Sequence, residues 1–201
     1  MKRMTALLLC LMLAVSLLAG CNTSEEKMLV GEWSGKANLA EAYETLLAKT
    51  DPTLTGHIDI EDFQVELTLQ FIDNGTYQWT ADQEDLEAGV DKMMDAIGAG
   101  LAAYLEMQTG MTIDQLLVAS GKTMDSLLDE YFDPNMTQVV KNTLESSGTY
   151  EIDDGELTLA NNDGLVVFKS DCEVSKNELE LKNGTGNDLI SNLLPMTFEK
   201  D

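Results

Sequence analysis

Phe63 to Phe71 alternates five apolar with four polar residues, the signature of a strand with one face in a core and the other in water. Asp73-Asn74-Gly75 follows as a tight turn, because Asn and Gly tolerate a positive φ, and Thr76 to Thr80 returns as the hairpin partner. Upstream, Met28 to Ala37 reads as a strand with Leu29, Gly31, Trp33 and Gly35 on one face. Asn38 then caps a short helix carrying Leu39, Tyr43, Leu46 and Leu47, which Asp51-Pro52 ends.

The period changes at Asp82. Leu86, Val90, Met93, Ile97, Leu101 and Leu105 recur every three or four residues, predicting one long amphipathic helix to Met107. Gly98, Ala99, Gly100, Ala102 and Ala103 make its second half thin enough for a close neighbour. Three shorter helices are expected next. Thr112 to Gln115 carries a capping-box pattern. Thr123 opens the second, with Met124, Leu127, Leu128, Tyr131 and Phe132. Asp133-Pro134 starts the third, with proline in its first turn and Met136, Val139, Val140 and Leu144 on one face.

From Gly148 the period returns to two. Thr149–Ile152, Glu156–Leu159, Leu165–Val174 and Glu178–Leu181 are separated by turns at 153–155, 161–164 and 175–177. A last strand, Pro195 to Lys200, places Met196 and Phe198 on one face. Eight short strands at such spacing predict an antiparallel sandwich or barrel. The helical block at 82–147 reads as an insertion between neighbouring strands, so that its two ends come close in space and a barrel folds without it.

The N-terminus has a different character. Met1-Lys2-Arg3 is basic, and Ala6 to Leu18 is an uncharged run too short for a bilayer core of roughly 20 apolar residues. It fits the apolar region of an export signal. Leu18-Ala19-Gly20-Cys21 closes that run and resembles the lipobox of bacterial lipoproteins at all four positions. The resemblance implies that residues 1–20 are a signal peptide and that the Cys21 sulfur carries a diacylglyceryl group. It implies further that the chain is lipid-anchored on the extracytoplasmic side of the cell membrane. Two acyl chains anchor stably where one does not. Residues 21–27 would then be a polar tether of at most ~25 Å at ~3.6 Å per residue, leading to one domain over 28–201.

Composition narrows the partners. Losing Lys2 and Arg3 with the signal moves the formal charge from −24 to −26, which argues against nucleic acid and against an electrostatic grip on anionic lipid. Cys10 leaves with the signal and Cys21 takes lipid, so Cys172 is alone and an internal disulfide is excluded. By strand parity Cys172 shares an inward face with Val166, Phe168, Ser170 and Val174, as a small hydrophobe.

Three stretches are similar to the bacterial lipocalin-like proteins of the calycin group. Gly31-Glu32-Trp33 matches the G-x-W that opens the first barrel strand; Leu69 to Tyr77 resembles the hairpin that turns at D-x-G-T; Tyr150 to Leu159 resembles a later hairpin. Residues 82–147 lie outside the match. The resemblance implies a mainly β fold, an antiparallel eight-stranded up-and-down lipocalin-like barrel with a helical cap. Its interior either holds one small ligand or fills with side chains. Trp33, Phe71, Trp79 and Phe168 are the candidate interior, ligand-binding residues.

Catalytic chemistry is sparse. His57 is the sole histidine, and there is no G-x-S-x-G, phosphate loop, dinucleotide fingerprint or zinc-type cluster. Residues 51–62 resemble a calcium loop at positions 1, 6, 8 and 12, but carry Thr at 3 and 5 and a strand follows. Six of eleven methionines lie in 82–147, where they either fill gaps between helices or form an adaptable binding face. The sequence therefore predicts a non-enzymatic membrane-anchored lipoprotein without a cofactor, binding a small apolar ligand or a protein partner. The alternative is a scaffold or interaction module with a filled barrel.

Overall fold

The structure is a computed structural model that describes residues 24–201 apart from Asp51 and Tyr131. The expected signal peptide and Cys21 lie outside the described residues, as does Tyr131. Eight antiparallel strands close a barrel in sequence order: β1 Gly31–Asn38, β2 Gln64–Ile72, β3 Thr76–Ala81, β4 Ser146–Asp153, β5 Glu156–Asn161, β6 Val166–Val174, β7 Glu178–Thr185 and β8 Met196–Lys200. The up-and-down barrel with helices expected from the periodicity and the resemblance is the observed fold. β2 shows why the pattern sufficed, since Val65, Leu67, Leu69 and Phe71 are buried while the residues between them are partly or fully exposed.

Between the strands run the helices α1 Ser24–Leu29, α2 Leu39–Thr50, α3 Pro52–Thr55, α4 Gln83–Thr109, α5 Ile113–Ser120, α6 Met124–Leu128, α7 Met136–Leu144 and α8 Asp188–Leu193. The caps at Asn38 and Thr112 are those the sequence predicts, and the structure adds one at Asp82. The Asn38 carboxamide oxygen accepts the Ala40 N–H at 3.0 Å, Asp82 accepts the Asp85 N–H, and Thr112 and Gln115 form a reciprocal capping box.

Register fixes a polarity in the molecule. Gly31 pairs with Phe71 at one end of β1, and Asn38 with Gln64 at the other. The first end, the base, holds α1, the turns at 73–75, 153–155 and 175–177, and the C-terminus. Every other helix lies at the opposite end, which we call the crown. α4 to α7 join β3 to β4, which are neighbours through Trp79↔Ser146, and the Ala81 N–H donates to the Glu145 carboxylate at 3.4 Å.

Local expectations fail in a few places. Residues 24–29 are helix rather than tether and strand, because Leu29 is fully buried and the helix's last carbonyls are taken up by barrel side chains. Pro52 both ends α2 and opens α3. α7 begins at Met136 rather than at Pro134, which sits in the preceding turn, and Val139 faces outward. A register shift at Leu159/Ala160 turns Val166 out, so Leu165 and Val166 are exposed and Val167 packs on the core instead. β7 runs on to Thr185, and α8, capped by Asn187, fills a stretch the periodicity left blank.

One apolar cluster joins barrel and crown. Leu86, Val90, Met93 and Ile97 of α4 are buried with Phe63, Val65 and Ala81 at the barrel mouth. α4 can lie so close because its Gly89 faces the Phe63 ring: a Cβ there would be 2.0 Å from Cδ2. Phe63 also stacks on Tyr43, with 5.9 Å between ring centres.

Candidate functional site

The barrel interior brings the four sequence-predicted residues inside. Trp79 meets Phe168 edge-on at 5.5 Å and Phe198 at 6.3 Å, while Phe71 meets the Tyr150 ring edge-on at 5.0 Å. A cavity that admitted even water would leave its lining accessible. Trp33, Phe71, Trp79 and Phe168 are between 0% and 2% accessible, and Leu67, Leu69, Leu157, Leu159, Leu179 and Leu181 are at zero. The interior is therefore packed with side chains, as close-packed protein cores are. Trp79 Nε1 is buried there without a hydrogen-bond partner among the described residues.

At the base, two side-chain groups converge on the C-terminal end of α1. The Lys200 ammonium donates to the carbonyls of Met28 and Val30, each at 2.8 Å, and stands 4.7 Å from the centre of the Trp33 ring. Trp33 Nε1 donates to the Leu29 carbonyl at 2.7 Å. Three successive carbonyls that a helix end leaves unpaired are thus satisfied from β1 and β8. Next to them Asp201 completes the closure, its N–H donating to Glu32 and its carboxylate accepting from the Ser34 hydroxyl at 2.7 Å. The G-x-W was legible in sequence, but its partner Lys200, 167 positions away from Trp33, gave no signal there.

Titratable groups inside the wall are shifted by burial. Desolvation, then the charges of Glu25 and Asp171, pushes the Cys172 thiol up to about 11, against a smaller opposing hydrogen bond from the Leu157 backbone. Burial likewise raises Tyr43 to about 12 and lifts Tyr77 and Tyr150, the latter also through Glu26 and Asp73. Cys172 faces inward as parity predicted, and a thiol so far up carries little thiolate at neutral pH. His57 stands beside Tyr104, with 5.9 Å between ring centres.

The clefts are on the outside. One of about 450 Å³ lies at the β3–β4 seam among Gln78, Trp79, Thr80, Asn142, Glu145 and Ser146, although Trp79 is only 1% accessible. Another of about 380 Å³ lies among Asp59, Glu61, Asp62, Lys92 and Asp95, where Lys92 pairs with Asp62 at 3.2 Å. The latter holds the end of the calcium-like stretch, whose first residue, Asp51, is outside the described residues. Among the described residues no group of three or more His, Cys, Asp or Glu is arranged to hold a metal ion.

Set against protein-family models, curated proteins and solved structures, the chain matches none. The fold and the site geometry therefore define its class: a closed, eight-stranded up-and-down barrel with a filled interior, a latched base and a helical crown.

Proposed function

We propose that this protein is an exported lipoprotein held to the extracytoplasmic face of the cell membrane through Cys21, and that its filled barrel is a rigid pedestal presenting the crown to a protein partner. The observation that carries this reading is the packed interior around Trp33, Phe71, Trp79 and Phe168, which supports the interaction-module alternative over a small apolar ligand. Polarity supports the anchor geometry. Cys21 stands three residues before α1, which is latched to the base, while α2 to α8 gather at the crown. An anchored molecule would thus turn its crown away from the bilayer. The lipocalin-like kinship belongs to the same proposal, since it rests on short motifs alone.

The test is Cys21→Ser. The variant should lose radiolabelled fatty-acid incorporation and leave the membrane fraction, because two acyl chains supply the stable attachment. Retention on membranes after a high-salt wash would defeat the anchor. A soaked or titrated apolar fluorophore that becomes buried within the barrel, shielded from aqueous quencher, would defeat the pedestal.

A further inference from the structure

α5 is an anomaly in the crown. Five of its eight residues, Ile113, Leu116, Leu117, Val118 and Ala119, are apolar, yet none of the eight is fully buried: the first three are half-buried and Val118 and Ala119 are exposed. A helix this short is marginal by itself. It is held by its capping box, by Gly121 in the left-handed region that suits a helix end, and by the Glu106 carboxylate, which accepts the Ile113 N–H at 2.7 Å. α4 shows the complementary pattern: its buried residues end at Gly100, Leu101, Tyr104 and Leu105 are half-buried, and residues 106–109 are exposed. Together they form a hairpin turning at Gly110, on which Met107 is 61% accessible, Val118 is 84% accessible and Met111 is also exposed. Three of the seven exposed large apolar side chains among the described residues thus fall within twelve positions.

Charge says what can cover them. Residues 93–121 contain Asp95, Glu106 and Asp114 and no lysine or arginine, and residues 82–145 hold thirteen acidic residues against three basic. A second copy of the chain would bring the same negative field to the same face, and an anionic lipid surface would be repelled likewise. A Lys- or Arg-bearing amphipathic helix meets both demands, with apolar anchors for the methionines and cations for the carboxylates. Methionine suits such a face because its unbranched thioether adapts to irregular anchors.

We propose that the α4–α5 hairpin tip is a docking surface for a basic amphipathic helix of a partner protein, with Met107, Met111 and Val118 as the apolar seat and Asp114 as a charge determinant. This rests on the interaction-module reading but not on the anchor, so the two fail separately.

The experiment uses the full-length protein in phosphatidylcholine vesicles, with protein-free vesicles as baseline. The probe is a labelled Leu/Lys amphipathic helix of ~18 residues, compared with its Leu/Glu counterpart by fluorescence anisotropy. The Lys peptide should bind at least ten times more tightly than the Glu peptide and should slow peroxide oxidation of Met107 and Met111, read by mass spectrometry. Met107→Asp with Val118→Asp should weaken it tenfold or more without changing the melting temperature. Asp114→Lys should move the two peptides in opposite directions, which simple disruption of the tip would not do. Equal binding of both peptides, unchanged oxidation of the two methionines, or unchanged affinity in the double variant would overturn the proposal. So would concentration-dependent dimerisation that the double variant abolishes, which would assign the face to a second copy, or Lys-peptide-independent recruitment to anionic vesicles through the tip.

Discussion

Lys200→Met is the most informative single change at the base. The substitution keeps the unbranched stem and removes the ammonium. It deletes two 2.8 Å charge-assisted hydrogen bonds to Met28 and Val30 and the contact over Trp33 at 4.7 Å. Hydrogen bonds to a charged group contribute roughly 1.5–3 kcal/mol each, with the lower figure apt here because water can reach a half-buried base. The ring contact adds about 0.5–1 kcal/mol. A loss of about 3.5–4 kcal/mol follows, a large share of the roughly 5–15 kcal/mol available to a domain. With a urea slope of about 2 kcal/mol per molar, the midpoint should fall by roughly 2 M. Hydrogen exchange should localise the effect: amides of 27–30 and 199–201 should lose protection before those of β2 and β5. Lys200→Arg should recover part of the loss. A midpoint within 0.2 M of the parent, or uniform loss of protection across the barrel, would refute the latch.

Three further outcomes are expected. Gly89→Ala should destabilise by about 1–3 kcal/mol despite alanine's better helix propensity, because the new Cβ would sit 2.0 Å from a Phe63 ring stacked on Tyr43, whereas Gly98→Ala meets Leu128 at an ordinary 3.5 Å and should gain up to about 1 kcal/mol; equal urea midpoints for the pair would contradict this. Cys172 should react slowly with a thiol reagent in the native protein and rapidly in urea. Its folded pKa lies above the unfolded value, so its contribution to stability is full below about pH 9 and is lost as pH climbs towards 11; Cys172→Ala should blunt that alkaline decline in pH-dependent melts. Against the sequence expectation that a barrel folds without the helical block, replacing residues 83–144 by a Gly/Ser linker removes Leu86, Val90, Met93 and Ile97 at about 1.5–3 kcal/mol each, so the shortened chain should lose cooperative unfolding by calorimetry, and a sharp transition would show the barrel to be self-sufficient.

The alternation of Phe63–Phe71 and of the strands after Gly148 determined the strands by itself, because a period of two allows one buried face only, and Asn74-Gly75 or Asp154-Gly155 left each turn little choice; that alternation suits a sandwich as well as a barrel, and closure through β1 and β8 is tertiary. The caps at Asn38, Asp82 and Thr112 were equally local, each a side chain answering a backbone N–H two or three residues on. What only the tertiary structure decided is non-local. Residues 24–29 became helix because Lys200 and Trp33 wait for their carbonyls, and Val166 turned outward because one bulge shifted its parity. Whether the barrel was hollow or full turned on how Trp79, Phe168 and Phe198 meet, a matter of volume that no spacing records. The exposed tip at Met107 and Val118 is likewise invisible to periodicity, which says that a face is apolar but not whether the fold brings anything to cover it.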